Sequence, residues 1–308
     1  MSASEPDTDA RLTIVELMRQ YGSEDACHEA LEELRWPDGV ACPRCGSKAI
    51  SRIKARRQFD CDGCRYQFSV RAATIFHDSK LPLWKWFLAV YMMVESKKGI
   101  SANQIKRMLG VSYKTAWYLC HRIRAAMKDD HPTRLSGAVE MDDTYVGGKN
   151  PGGQPTKFDN KTVVLGAVER GGKVRMAVMH GRGKIALRKF AHDMIDDGAQ
   201  SIYTDEYWSP GELSDEDTKH FTVKHSKREY VLPGDIHTNT IEGVWALLKR
   251  SIAGSYHKLS VKHLPAYLDE MTWRYNGREN PYLFRDTMVE LISATPVNYR
   301  TLIGPDRP

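Results

Sequence analysis

The chain has 308 residues, 41% of them hydrophobic and 27% charged, with a net charge of +6. That length supports two or more domains and a sizeable core. No apolar run approaches the roughly 18 residues a membrane helix needs, the longest being WFLAVYMMV at Trp86–Val94. The acidic, polar start MSASEPDTDARL does not read as a secretory signal, so the expected compartment is the cytoplasm.

Charge is unevenly spread. Residues 1–41 carry a net −7, residues 42–130 a net +12, and the remainder is close to neutral. A basic block of that size is the footprint of a polyanion-binding module.

Helical spacing of Leu12, Ile14, Val15, Leu17 and Met18, then of Ala26, Ala30, Leu31 and Leu34, predicts two short helices joined at YGSED, with Ser23 as an N-cap. Pro37 and Gly39 end this helical segment, residues 1–41. Next come Cys42-x2-Cys45 and Cys61-x2-Cys64, separated by 15 residues. Two thiolates on a tight turn reach one ion, and two such turns complete a tetrahedral zinc site with no position left open. One structural Zn2+ is therefore expected to fold a ribbon at residues 42–72, with Gly46 and Gly63 at the positive-φ positions of the two turns. Arg52, Lys54, Arg56 and Arg57 lie between the cysteine pairs, where they suit phosphate contact.

Residues 73–130 read as helical. LPLWKWFLAVYMMVES is one helix, and GISANQIKRMLGVSYKTAWYLCHRIRAAM has the pattern of a helix-turn-helix. Ser101 and Ser112 stand as N-caps, Gly110 makes the turn, and the second helix would present Lys114, Arg122 and Arg124 to a major groove. An ordinary helical hairpin fits the same spacing.

Beyond the linker the period becomes that of strands. GAVEMDDTYVGG is one strand, TVVLGAVER and KVRMAVMH form a hairpin across a two-residue GG turn, a helix covers about residues 186–197, and SIYTDE is a strand ending near Asp205. GGKNPGGQPTKFDNK between the first two strands is a loop, and about 30 mixed residues precede HTNTIEGVWALLKR, a further helix. The order is that of an α/β domain on a mixed sheet.

Three acids stand out: Asp142 in the first strand, Asp205 at a strand's C-terminal end and Glu242 in the first turns of a later helix, spaced Asp-x62-Asp-x36-Glu. Open α/β sheets place their sites at such strand ends. Carboxylate oxygens suit Mg2+ or Mn2+, and two such ions about 4 Å apart can activate a nucleophile and stabilise a leaving oxygen in phosphodiester displacement. Lys249 lies two turns beyond Glu242 on nearly the same face and can hold a phosphate as a point charge. Asn239, one turn before Glu242, either ligates a metal or caps the helix. Lys258 and Lys262, among the aromatics of GSYHKLSVKHL, and WRYNGR further on suit nucleic acid, although Trp245 and Trp273 read better as core.

RWPDGVACPRCGS, FDCDGCRYQFSVRAATIF, VEMDDTYVGGK and the long block HTNTIEGVWALLKRSIAGSYHKLSVKHLPAYLDEMTWRYNGR together resemble bacterial insertion-sequence transposases of the zinc-ribbon DDE type, the ISXO-type group related to Merlin elements. The resemblance covers nearly the whole chain. It implies a ribonuclease-H-like core at residues 136–308, a bacterial, nucleoid-associated protein, divalent metal, and DNA cleavage and strand transfer at terminal inverted repeats. Two element ends must be joined, so a homo-oligomer on double-stranded DNA is expected. Asp142, Asp205 and Glu242 become metal ligands, with Lys249 as basic helper. Some members are described with Asn as the third element, which keeps Asn239 beside Glu242. The family often carries Asp-Glu where this chain has Asp142-Asp143; Asp142 is chosen because it shares a strand face with Glu140. A DNA-binding regulator with a degenerate core and a nuclease without strand transfer are the rival readings.

Overall fold

Side-chain caps set the first two helices. Thr13 opens α1 (Ile14–Tyr21) in a reciprocal capping box with Glu16, and Ser23 accepts from the Ala26 N–H to open α2 (Glu24–Arg35). The computed structural model describes residues 11–147, 161–179, 184–205, 213, 218–223 and 237–304. The chain divides into two compact units, Met1–Met127 with Arg278–Pro308, and Lys128–Gly277.

The first unit continues from α2 into a three-stranded antiparallel ribbon: β1 (Ile50–Ile53), β2 (Gln58–Cys61) and β3 (Gln67–Phe68). Phe59 and Phe68 pack there against Trp36 and Tyr66. Helix α3 (Leu83–Glu95) is apolar nearly all round and correspondingly buried on most sides. It packs against α2, against α5 (Tyr113–Ala126) and against α9 (Leu283–Ser293). Ser101 and Ser112 cap α4 (Ala102–Leu109) and α5, and Gly110 between them is left-handed at φ 61°. Residues 278–308, expected in the catalytic core, group with this unit, because α9 buries Leu283, Phe284, Met288 and Leu291 and packs on α2, α3 and α5. The short α10 (Tyr299–Ile303) follows. Among the described residues no helix is long and apolar enough to cross a membrane.

The second unit is a five-stranded mixed sheet in the order β6-β5-β4-β7-β8, formed by β4 (Ala138–Gly147), β5 (Lys161–Glu169), β6 (Val174–Met179), β7 (Ser201–Asp205) and β8 (Lys219–Val223). The first three are antiparallel neighbours, while β7 and β8 run parallel to β4. In order of appearance these strands lie 3-2-1-4-5, the ribonuclease-H-like topology. Strand alternation sends Val139, Met141, Leu165, Ala167 and Ile202 toward α6 (Lys184–Met194), where Leu187, Phe190 and Ala191 meet them. Val146, Val164, Val168 and Val174 face the other way, onto Ile241, Val244, Trp245 and Leu248 of α7 (Asn239–Ser251) and Leu264, Leu268 and Met271 of α8 (Leu264–Asn276).

Sequence reasoning missed β8, which lies within the stretch read as mixed, and the ribbon strands. The β5–β6 turn takes four residues, 170–173, rather than two, with Gly171 at φ 71°. Most of the expected loop at 147–161 lies outside the described residues.

Candidate active site

Strand β4 is the centre of the sheet and carries two acids on the α7 face, Glu140 and Asp142. Its parallel register pairs Glu140 with Tyr203 of β7. Continuing that register by two residues sets Asp142 beside Asp205, the last residue of β7. In a parallel pair, side chains in register point to the same face. Asp143 points to the opposite face, with Met141.

Asp142 is partly buried, and burial pushes its pKa up to about 6. The negative charge of Asp205 pushes in the same direction, while the Asp143 backbone N–H and the Trp245 indole hold it down. Trp245 Nε1 donates to Asp142 Oδ2 at 3.0 Å. The indole is 4% exposed and occupies the space above Gly166, the residue opposite Asp142 on β5. A Cβ there would lie 2.5 Å from Trp245 Cη2. The core reading of Trp245 therefore holds, and its N–H adds a link from α7 to Asp142.

Glu242 lies in the first turn of α7, one turn before Trp245, with its side chain exposed; Lys249 is exposed in the last turn on the same stripe. Asn239 does not cap the helix. It is the first helical residue and is exposed, Thr238 is the N-cap, and no side chain of Thr238 caps. The cap comes from Glu140, whose carboxylate accepts from the Thr240 and Ile241 N–H groups at 2.7 and 3.0 Å. Neither Glu140 nor Trp245 was singled out for such a role from sequence. An acid at an inward strand position two residues from Asp142 was the available signal, since a buried carboxylate requires partners.

The four cysteines gather. Their sulfurs lie within 4.8 Å of one another, with Cys42–Cys64 at 3.7 Å and Cys45–Cys61 at 3.5 Å. A tetrahedral Zn–S site with bonds near 2.3 Å has S···S edges of about 3.8 Å, so the set fits zinc. Gly46 takes the left-handed position after the first turn, at φ 73°, as expected. In the second turn Arg65 takes it, at φ 58°, in place of Gly63. Among the described residues this is the one set of three or more ligating side chains close enough to hold one ion. Asp142, Asp205 and Glu242 are not drawn together as tightly. The Glu242 residue is exposed, while Asp142 and Asp205 are partly buried.

Of the expected DNA contacts, Lys54, Arg56 and Arg57 line one cavity of about 550 Å³ together with His28, Ser69 and Arg71. Arg52 and Arg57 also pair with Glu32 and Asp25 of α2. Lys114 is exposed in the first turn of α5, with Nζ 4.5 Å from the Tyr299 ring centre. Arg122 and Arg124 are corrections: they are 4% and 1% exposed. Arg122 donates to the Ile75 and His77 carbonyls and lies over the Trp86 and Tyr118 rings. Both are buried, so neither guanidinium is presented to a groove. In the second unit, Lys258 is exposed, Lys262 is half-buried, and Arg274 is buried against Glu270.

Residues 134–276 match a family model described as an ISXO2-like transposase domain, and residues 22–67 one described as a transposase zinc-ribbon domain. The chain is 29% identical over 274 residues to an uncharacterized protein in transposable element ISH50 of Halobacterium salinarum, spanning 82% of this chain and 90% of that protein. Among solved structures, a chain of the simian T-cell lymphotropic virus intasome in complex with PP2A regulatory subunit B56 gamma is 14% identical with a TM-score of 0.28, over 61% of this chain and 65% of that one, just under two thirds of its length. The Mos1 strand transfer complex gives 12% identity and a TM-score of 0.28, over 67% and 75%. Superpositions this loose add nothing to the strand order.

Proposed function

The chain belongs to the zinc-ribbon transposases with an ISXO2-like transposase domain, and from that premise we propose that it binds the terminal inverted repeats of an insertion sequence and carries out metal-dependent DNA cleavage and strand transfer. The observation that carries this reading is the parallel β4–β7 pair, whose register points Asp142 and Asp205 toward one place, with the charge of Asp205 acting on Asp142 and the helix bearing Glu242 bonded to Asp142 through Trp245.

The residues fit divalent metal. Their donor set is all carboxylate oxygen, which Mg2+ and Mn2+ prefer, and burial together with the negative charge of Asp205 disfavours the ionised form of Asp142, a cost that a bound cation would relieve. Asp142, Asp205 and Glu242 would hold the ions, Glu242 swinging inward from its exposed position, while Asn239 stands one turn away. Bound metal supplies a counter-charge for the attacking and leaving oxygens of an in-line displacement. Water attacks the phosphodiester at the element end and the freed 3′-OH departs with the proton. That 3′-OH then attacks a target phosphodiester, releasing a target 3′-OH in its turn. Lys249 steadies the phosphate from the far end of the α7 stripe.

In this reading the ribbon at 42–72 and the helical region at 73–130 locate the ends, through Lys54, Arg56 and Arg57 and through the exposed start of α5 at Lys114. Lys258 and Lys262 of the 136–308 region contact the DNA near the metals. The N-terminal segment 1–41 supports the ribbon through its acids. The protein works as a homo-oligomer because two ends are joined.

A cleavage and joining assay on labelled DNA spanning an element end, with and without Mg2+, tests this. Wild type cleaves and joins only with metal, and Asp205→Asn does neither while still shifting the DNA. Cleavage surviving in Asp205→Asn refutes the metal-site assignment; wild type that binds but never cuts refutes the transposition chemistry.

A further inference from the structure

Glu140 has no exposed surface, yet it carries a carboxylate into the interior of the sheet face. Every partner it has is charged or donating. The Thr240 and Ile241 N–H groups bond Oε2 at 2.7 and 3.0 Å, the Thr240 hydroxyl bonds Oε1 at 2.9 Å, Arg170 Nε bonds Oε1 at 2.8 Å, and His237 Nδ1 lies 3.1 Å from it. An N-cap is ordinarily a neighbour in sequence. Here the cap on α7 comes from 100 residues upstream.

The cluster reaches further. Arg170 also donates to the His237 carbonyl at 2.8 Å, and its guanidinium lies 4.2 Å from the centre of the Tyr203 ring. Tyr203 is the register partner of Glu140 on β7. Three members of the cluster therefore stand next to the three acids in sequence: Glu140 two residues before Asp142, Tyr203 two before Asp205, and Thr240 two before Glu242.

We infer that Glu140 is a positioning residue for the metal site: its carboxylate sets where α7 meets β4, and through that contact sets Glu242 against Asp142 and Asp205. This rests on the metal-site reading proposed above. Stability alone does not account for the arrangement, because a buried ion pair is often no more stable than apolar residues of the same volume. What the buried acid adds is geometry: two backbone N–H groups and a hydroxyl accept one orientation of the helix start, and groups that orient metal-binding carboxylates commonly change metal affinity 10–100-fold when altered.

The test is Mn2+ binding to the zinc-loaded full chain, read from the electron paramagnetic resonance signal of free Mn2+, beside cleavage kinetics. Glu140→Gln keeps the shape but cannot satisfy both the helix N–H groups and Arg170. It is expected to weaken Mn2+ binding about tenfold or more, and to lower kcat while the KM for DNA stays unchanged. Thr240→Val, which removes one bond and leaves the carboxylate, weakens binding several-fold, and decides the matter if Glu140→Gln does not fold. Leu268→Ala, a cavity in the same core cluster, lowers the thermal midpoint without moving Mn2+ affinity. Folded Glu140→Gln or Thr240→Val protein with wild-type Mn2+ affinity overturns the proposal, as does an Mn2+ affinity that merely tracks thermal stability across all three variants. A wild type that binds no Mn2+, or an Asp205→Asn protein that binds it as well as wild type, instead brings down the metal-site reading and this inference with it.

Discussion

Asp142 is held at a stability cost that a single substitution can reveal. Its pKa rises from 3.8 to about 6, chiefly by burial and secondarily by Asp205. The folded state therefore binds more protons than the unfolded chain between about pH 4 and 6, and stability falls as pH rises through that window. Above about pH 6 the penalty is complete, and a rise of that size corresponds to about 3 kcal/mol. Asp142→Asn carries no charge to desolvate and keeps an oxygen to accept from Trp245. Without added divalent metal and with zinc retained, the variant should be about 2–3 kcal/mol more stable than wild type at pH 8. The gap should close by about pH 4. Urea unfolding followed across that range measures it, with the fluorescence of the buried indole reporting on this unit. A variant no more stable than wild type at pH 8, or a gap that does not change with pH, would refute the reasoning. Added Mg2+ should shrink the gap from the other side by stabilising only wild type, since anything that binds the native state alone stabilises it.

Two further outcomes follow from the packing. Gly166→Ala places a methyl carbon 2.5 Å from Trp245 Cη2 and 3.3 Å from Ile241 Cδ1, so the indole must move; overpacking of this kind costs about 1–3 kcal/mol, and metal-dependent cleavage should fall with the lost bond to Asp142, whereas unchanged denaturation would show that the indole does not fill that space. Stripping zinc, or replacing Cys61 with Ala, should unfold the ribbon, whose own core is little more than Phe59, Phe68 and their aromatic neighbours; one zinc per wild-type chain released by thiol modification, with unfolding of the second unit unchanged, checks this.

Local features were legible wherever the signal was periodic or short in range. The two helices at the start with the Ser23 cap, the long apolar helix, the Ser101 and Ser112 caps around Gly110, and the strand-hairpin-helix-strand order all follow from spacings of two and 3.6 and from side chains that bond the nearest backbone. The cysteine spacing was equally readable, because two residues between thiols is a property of one turn. The second turn shows the limit: Arg65 rather than Gly63 takes the left-handed position, since the turn's hydrogen bonds, not the residue's freedom, choose it. Arg122 and Arg124 show another. A basic helix reads as an exposed one, and only the tertiary structure shows that both guanidinium groups are buried.

By itself, then, the sequence determined the two cysteine turns, the helix caps at Ser23, Ser101 and Ser112, and the helices and strands with a clear period, all of which depend on neighbours within a few positions. Tertiary structure alone decided that β7 runs parallel beside β4, that Gly166 admits the Trp245 ring, that Glu140 caps a helix 100 residues away, and that residues 278–308 join the other unit. The physical reason is that strand partnership and helix docking are set by summed burial over distant segments, which no window of sequence contains.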